Sequence, residues 1–495
     1  MRKVEITLDR NFKKSRIDER IYGSLAEHMG RVVYTGIYEP DNKNADEDGF
    51  RTDVIDAVKE AGITTVRYPG GNFVSTFNWE DGVGPKESRP SRLDLAWRAV
   101  ETNQFGTDEF IRWTKKTGTE PLMAVNLGTR GISDAVNYLE YCNLSTETKY
   151  SRMRRSFGIE EPYGIKLWCL GNEMDGKWQI GHKEAHEYGR LAAETSKAMK
   201  VVDPSIETIL CGSSLNTMET YPEWEVQVLD DAYEYVDYIS LHQYFGGQEK
   251  GTEKFISQAD EMTDYIRTVN AVCKFIKAKK RTQHNVLISM DEWGVWTCNS
   301  SETVRESDEK RWQTAPSISE MIYSFEDTLL FAGMLMSIIK NSDTVKLACQ
   351  SLIANISSMI MTEAGGGLWY QPIYYPFKYM AGYAHGTVLE LGCDDEEHVL
   401  DVVPVYNDSD KEIVIFAINR SCNEDLDLEV SLQGFEIVGI TEQVRMTSSD
   451  IKATNKKNHD RIKPEVVDEA KLHDKKLIGR IEHLSWNMIR IGLKG

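Results

Sequence analysis

Two glutamates stand directly behind short apolar runs: Glu173 in LWCLGNEMDG (167–176) and Glu292 in VLISMDEWG (286–294). A carboxylate at the end of a buried strand is costly unless it is paired, solvated or used. Two such carboxylates suit work on a glycosidic bond, where one stays protonated to assist the leaving group and the other stays ionised to attack. Other polar residues end comparable runs: Glu27 and His28, Arg67 and Asn72, Asn126, Asn172, His242 and Tyr244, and Asp291 beside Glu292. Strand ends chosen only for packing would not be so regularly polar. Aromatics nearby (Trp97, Trp178, Tyr244, Trp293, Trp296) would supply flat surfaces for sugar rings.

Each residue also has a plainer reading. Glu173 suits a helix N-terminus or a salt bridge as well as catalysis. Asp291 and Glu292 are neighbours in a strand and should point to opposite faces, one toward the site and one into the barrel wall. His28, His242 and Glu27 would serve as metal ligands in a barrel hydrolase, but no HxH or HExxH pattern supports that reading. All the tryptophans suit a core.

The elements that must position these residues follow from periodicity. Eight β-rich runs, beginning near residues 21, 64, 121, 165, 207, 236, 286 and 344, alternate with helical patterns such as FRTDVIDAVKEAG. Near-continuous apolar strands joined by helices imply a parallel sheet buried on both faces. Eight units imply an α/β fold, a (β/α)8 TIM barrel over residues 16–385 with its site at the C-terminal strand ends. No GxGxxG opens a helix after a strand, which argues against dinucleotide binding. Beyond residue 386 the runs alternate apolar with polar, as in KEIVIFAINR and LDLEVSLQG. That texture predicts a C-terminal antiparallel β-sandwich over 386–495, joined by an N-terminal strand within residues 1–15. The charge-dense stretch 452–476 is expected to be a solvated excursion.

A net charge of −20 across 495 residues disfavours nucleic acid and anionic membranes as partners and favours a small neutral ligand. Eight cysteines (142, 169, 211, 273, 298, 349, 393 and 422) show no CxxC spacing and read as buried free thiols. The first residues hold no apolar core of signal-peptide length, so a cytoplasmic location is expected.

The stretches GSLAEHMGRVVY, RYPGGNFVS, WEDGVGP, RLDLAW, MAVNLGTRG, WCLGNEMDGKWQIGH, SLHQY, DEWGVW and IYYPF, in that order, resemble glycoside hydrolase family 51, whose best-known members are α-L-arabinofuranosidases. The resemblance implies a retaining exo-glycosidase that uses no metal or other cofactor. It implies Glu173 as acid/base and Glu292 as nucleophile. Asn172 matches the residue that bonds the sugar 2-hydroxyl, and Glu27, Asn72 and Tyr244 match positions lining the sugar subsite. Arg67 matches a basic residue beneath the nucleophile; Trp97 and Trp178 match aromatic positions on the leaving-group side. His242, in SLHQY, is taken with the substrate-binding set.

One departure stands out. The family's eighth strand reads CLAQLVN, with a Gln toward the exocyclic hydroxyl of arabinofuranose; here CQSLIAN puts Leu352 at that position and Gln350 two residues earlier. As strand residues the two would share a face, with Gln350 pointing inward about 6–7 Å deeper. A lost donor can shift sugar preference. The alternatives are therefore the same chemistry on an apiofuranoside or galactofuranoside, or a non-catalytic sugar-binding barrel. The resemblance also implies a homo-oligomer, with a hexamer expected.

Overall fold

The computed structural model describes residues 2–297, 310–395 and 398–494. The chain opens with a long strand, β1 (Arg2–Arg16), and then enters the barrel through β2 (Gly23–Leu25) and β3 (Thr65–Tyr68). A short hairpin follows, β4 (Arg92–Asp94) with β5 (Ala99–Glu101). The remaining barrel strands are β6 (Glu120–Val125), β7 (Leu167–Leu170), β8 (Glu207–Cys211), β9 (Tyr238–Phe245), β10 (Leu287–Val295) and β11 (Val345–Gln350). The eight barrel strands are parallel and close in the order β2-β3-β6-β7-β8-β9-β10-β11. All eight expected runs take their places in it.

Period-two side chains explain why these strands are apolar on both faces. Leu122 and Ala124, Leu167 and Cys169, and Leu347 and Cys349 point inward and fill the barrel as one cluster. The alternate residues Met123, Val125, Trp168 and Leu170 point outward to the core beneath the helices. The helix Phe325–Lys340 is buried almost all round, because it lies between the barrel and the second sheet.

That second sheet has ten strands in a single order: Glu465–Val466, Ile437–Met446, Ser485–Leu493, Glu412–Asn419, Leu400–Asn407, Thr387–Cys393, β1, Leu426–Gln433, Lys476–Ile481 and Lys471–His473. Val4, Ile6 and Leu8 of β1 share one core with Leu428, Val430, Ile413, Ile415, Ile489 and Ile491, so the sheet folds its two wings face to face. It is antiparallel except where β1 runs parallel to Leu426–Gln433. A terminal strand inserted between two distant strands has no hairpin to dictate its direction. Lys340 and Arg420 converge on buried Asp401, and Arg420 also reaches Asp260, tying the sheet to the barrel helices.

The stretch 452–476 is not a solvated excursion throughout. Ala453, Asn455 and Ile462 are buried, and the carbonyls of Ile451 and Ala453 accept from the backbone of Glu326 and Phe325 at 2.9 and 3.0 Å. Its charged side chains face outward while a few small and apolar residues cover the open first turn of the buried helix. Among the described cysteines, Cys393 is exposed and Cys422 half-buried, whereas the other five are buried; Cys298 lies outside the described residues.

Candidate active site

The strand ends carry their polar side chains to one place. Glu173 follows β7 across Gly171 and itself adopts φ of 45°, a left-handed conformation rare for a residue with a side chain. That turn brings its carboxylate between two donors: Trp178 Nε1 donates to Oε2 at 2.7 Å, and His242 Nδ1 lies 3.0 Å from Oε1. His242 Nδ1 is also 3.6 Å from Glu292 Oε2. The nearest oxygens of Glu173 and Glu292 lie within 4.8 Å of each other.

Asp291 and Glu292 do not take opposite faces. The pairing of β10 with both neighbours breaks register between Ser289 and Trp293, the mark of a β-bulge that inserts one residue and re-aims its neighbours. Both carboxylates therefore reach Arg67: Nη1 donates to Glu292 Oε1 at 2.7 Å, and Nε is 3.3 Å from Asp291 Oδ2. The other arm of the fork, Nη2, donates to Asn172 Oδ1 at 2.8 Å, and Asn172 Nδ2 in turn faces Asn72 Oδ1 at 3.3 Å. Tyr244 places its hydroxyl 3.0 Å from Glu292 Oε2 and 2.6 Å from Ser351 Oγ. Asp291 is fully buried and also accepts from the Ser240 hydroxyl.

Glu27 stands at the side of the group, accepting from Phe73 N at 2.9 Å and Trp97 Nε1 at 3.0 Å. Its carboxylate presses against Gly71, where a Cβ would stand 2.2 Å from Glu27 Oε2, so a larger residue there would displace the carboxylate. Gln179, which the sequence did not single out, bonds the Ser75 hydroxyl and fixes the Trp178 loop to the segment after β3.

Charge is dense and mostly buried. Burial alone would lower the His242 imidazole, but Glu292, Asp291 and Glu173 around it push it up to about 10. Burial works against ionised Asp291 too, yet Arg67 and His242 hold it down at about 2. Burial and the Glu292 charge push Glu27 up to about 8, against its two donors. Glu292 is raised by burial and by Glu173 and Asp291, while His242 and Arg67 pull the other way. His242 thus faces three carboxyl groups, which favour its protonated form.

Several expected residues stand apart from this group. Strand β11 ends at Gln350, and Leu352 takes φ of 57°, so the shared-face argument for the two fails. Gln350 is fully buried and spends its amide nitrogen on the Ser351 and Ser357 carbonyls, holding the loop instead of pointing to a ligand. Leu352 is buried beside it. Trp293 is a core residue packed on Phe331 with ring centroids 4.9 Å apart, while half-buried Trp296 meets Tyr244 edge-on at 5.5 Å. Asn126 holds the turn after β6. His28 has both ring nitrogens engaged, with Glu101 at 2.8 Å and Tyr68 at 2.9 Å. It has no nitrogen left for an ion shared with His242 and Glu27.

Comparison with known proteins places the chain in a family. Residues 57–282 match the family model described as the α-L-arabinofuranosidase 1 domain, and residues 291–485 match that of the α-L-arabinofuranosidase C-terminal domain. An intracellular exo-α-(1→5)-L-arabinofuranosidase of Acetivibrio thermocellus is 48% identical, over 99% of this chain and 100% of its own length. The chain belongs to glycoside hydrolase family 51. Within the family, the Bacillus subtilis protein named intracellular exo-α-(1→5)-L-arabinofuranosidase 1 is 47% identical over 99% of both chains. The solved family 51 α-L-arabinofuranosidase AbfB of Bifidobacterium longum superposes with a TM-score of 0.93 at 35% identity, covering 99% of each chain. An arabinose complex of the Thermotoga maritima α-L-arabinofuranosidase superposes at 0.87 with 32% identity, over 98% of this chain and 99% of that one. This family member is accordingly a glycoside hydrolase with a TIM-barrel catalytic fold, and no helix among its described residues is long and apolar enough to cross a membrane.

Proposed function

We propose that this enzyme removes terminal non-reducing α-L-arabinofuranosyl residues from oligosaccharides or glycosides by double displacement with retention. The observation that carries the reading is the short gap between Glu173 and Glu292, whose nearest oxygens lie within 4.8 Å. Retaining glycosidases hold their carboxyl groups about 5–5.5 Å apart, whereas inverting enzymes need about 6.5–9.5 Å to admit a water. The sugar assignment rests on the relatives, which are named arabinofuranosidases.

Glu292 attacks the anomeric carbon as Glu173 protonates the departing oxygen. Arg67 and His242, both within 4 Å of Glu292, pull against the burial that raises it and favour its ionised form for attack. Water then attacks the glycosyl-enzyme with Glu173 as base, and His242 Nδ1, 3.0 Å from Glu173 Oε1, holds that carboxyl group in place. Asn172, fixed by Arg67, is placed for the 2-hydroxyl; Glu27, Asn72 and Tyr244 line the sugar pocket, and Trp97 and Trp178 border the leaving group. The relatives named intracellular support action inside the cell on short imported glycosides. We take the assembly to be a homo-oligomer, a hexamer by family resemblance, which light scattering tests.

Turnover of an aryl α-L-arabinofuranoside with NMR detection of the first anomer tests the reading. Retained configuration, loss of all turnover in Glu292→Ala, and survival of activated aryl substrates in Glu173→Ala are expected. An inverted first product overturns it.

A further inference from the structure

Three groups of the cluster are also spaced as metal ligands. Glu173 Oε1 lies 3.0 Å from His242 Nδ1, Glu292 Oε2 lies 3.6 Å from the same nitrogen, and all three atoms fall within 4.8 Å of one another. Ligands of a tetrahedral zinc ion at about 2.0–2.1 Å stand about 3.4 Å apart, a value that the two His242 separations bracket. The other oxygens are already taken. Trp178 occupies Glu173 Oε2 and Arg67 occupies Glu292 Oε1, which turns the remaining oxygen of each carboxylate toward His242. Tyr244 Oη, 3.0 Å from Glu292 Oε2, leaves that oxygen to an ion when its one proton goes to Ser351 Oγ at 2.6 Å. Behind the ring, Asp291 Oδ1 faces Nε2 at 3.6 Å and is itself held by the Ser240 hydroxyl. A carboxylate in that position orients a ligating histidine and fixes its tautomer.

We propose that Glu173, His242 and Glu292 form a binding site for one borderline transition-metal cation, Zn²⁺ or Cu²⁺, that blocks the sugar pocket and takes no part in turnover. One imidazole with two carboxylates selects these ions, whereas Mg²⁺ and Ca²⁺ prefer all-oxygen shells of higher coordination number. Binding forms one bond to each carboxylate and one to Nδ1, the Nδ1 proton leaves to solvent, and no electron is transferred. The ion uses the two carboxylates that the substrate needs, so it competes with substrate. The second acidic group of the described residues, Asp46, Glu47 and Asp48, differs in kind: it holds no histidine, and the Lys116 ammonium already sits among its carboxylates at 2.7, 3.3 and 2.7 Å.

Titration calorimetry with ZnCl₂ on the intact enzyme tests this without turnover, so it stands or falls separately from the arabinofuranosidase reading. One ion per chain is expected, with MgCl₂ silent at the same concentration. His242→Asn and the near-isosteric Glu292→Gln, each checked for folding by circular dichroism, should weaken binding at least 10-fold. A variant with Cys298, Cys393 and Cys422 changed to serine should bind as before. Frozen Cu²⁺-loaded enzyme should show coupling to a single imidazole nitrogen in its electron paramagnetic resonance spectrum, and Zn²⁺ inhibition should be competitive and reversed by chelator. Unchanged Zn²⁺ binding in His242→Asn and Glu292→Gln overturns the proposal, as does binding that disappears with the three cysteines.

Discussion

Arg67 grips two neighbouring carboxylates at once, with Nη1 2.7 Å from Glu292 Oε1 and Nε 3.3 Å from Asp291 Oδ2. All three side chains are buried. The guanidinium fork suits this double contact, and a lysine ammonium does not reproduce it.

Removing the fork should therefore cost both stability and rate. Arg67→Met leaves two buried carboxylates with His242 as their remaining cation, and breaking a buried pair costs about 3–5 kcal/mol. The urea midpoint should fall accordingly. Arg67→Lys keeps a charge, so a smaller stability loss with a large fall in kcat is expected. Equal stability of Arg67→Met and the parent would remove the basis for this account.

His242 sets a pH dependence whose sign is fixed by its shift. Its pKa rises from 6.5 in the unfolded chain to about 10 in the fold. The stabilisation it contributes is full below the unfolded value, declines between the two, and is gone above about pH 10. Urea unfolding of the parent should show that decline from pH 7 to 10, and His242→Gln should show a flatter profile. The alkaline limb of kcat/KM should likewise shift or vanish in His242→Gln.

Trp178 is partly exposed and makes one decisive contact, the 2.7 Å donation to Glu173. A hydrogen bond to a charged group contributes about 1.5–3 kcal/mol. Trp178→Phe should lower kcat/KM on natural glycosides roughly 10- to 100-fold while leaving the melting temperature almost unchanged. Activated aryl substrates, which need less proton donation, should suffer less. An equal loss on both substrate types would assign Trp178 to binding alone.

Far from the site, Asp401 joins the sheet to the barrel. Burial opposes its charge, yet Lys340 and Arg420 hold its pKa down at about 2. The stability it supplies is present above the unfolded value of 3.8 and is lost as pH falls toward 2. Asp401→Asn should destabilise by about 3–5 kcal/mol at neutral pH, because two cations lose their buried partner. KM should not change, and a KM effect would mean the sheet communicates with the site.

Much of this was legible before any coordinates. The eight barrel strands and the polar residues at their ends are local patterns, written in alternation and in the abrupt change from LWCL to GNE or from LISM to DEW. Glu27, Arg67, Asn72, Asn172, Glu173, His242, Tyr244 and Glu292 were all readable in that way, and the structure brings them together. Trp293 stands beside the two carboxylates of DEW, but of its two readings, sugar surface and core, its packing on Phe331 decides for core. Gln350 and Leu352 were treated as one strand face, and the strand ends between them. No local signal marked Gln179 or Ser351, whose partners lie on other loops.

The sequence by itself determined the barrel, the second sheet and the set of groups that end its strands, because period and polarity depend on residues a few places apart. Tertiary structure alone decided that Asp291 and Glu292 face the same arginine, since a bulge in β10 overrides strand alternation. It alone decided that His242 lies among three carboxyl groups that raise its pKa, since that shift depends on side chains from β9, β10 and the turn after β7 meeting in a buried place. Alternation is a property of a strand; a protonation state is a property of everything packed around it.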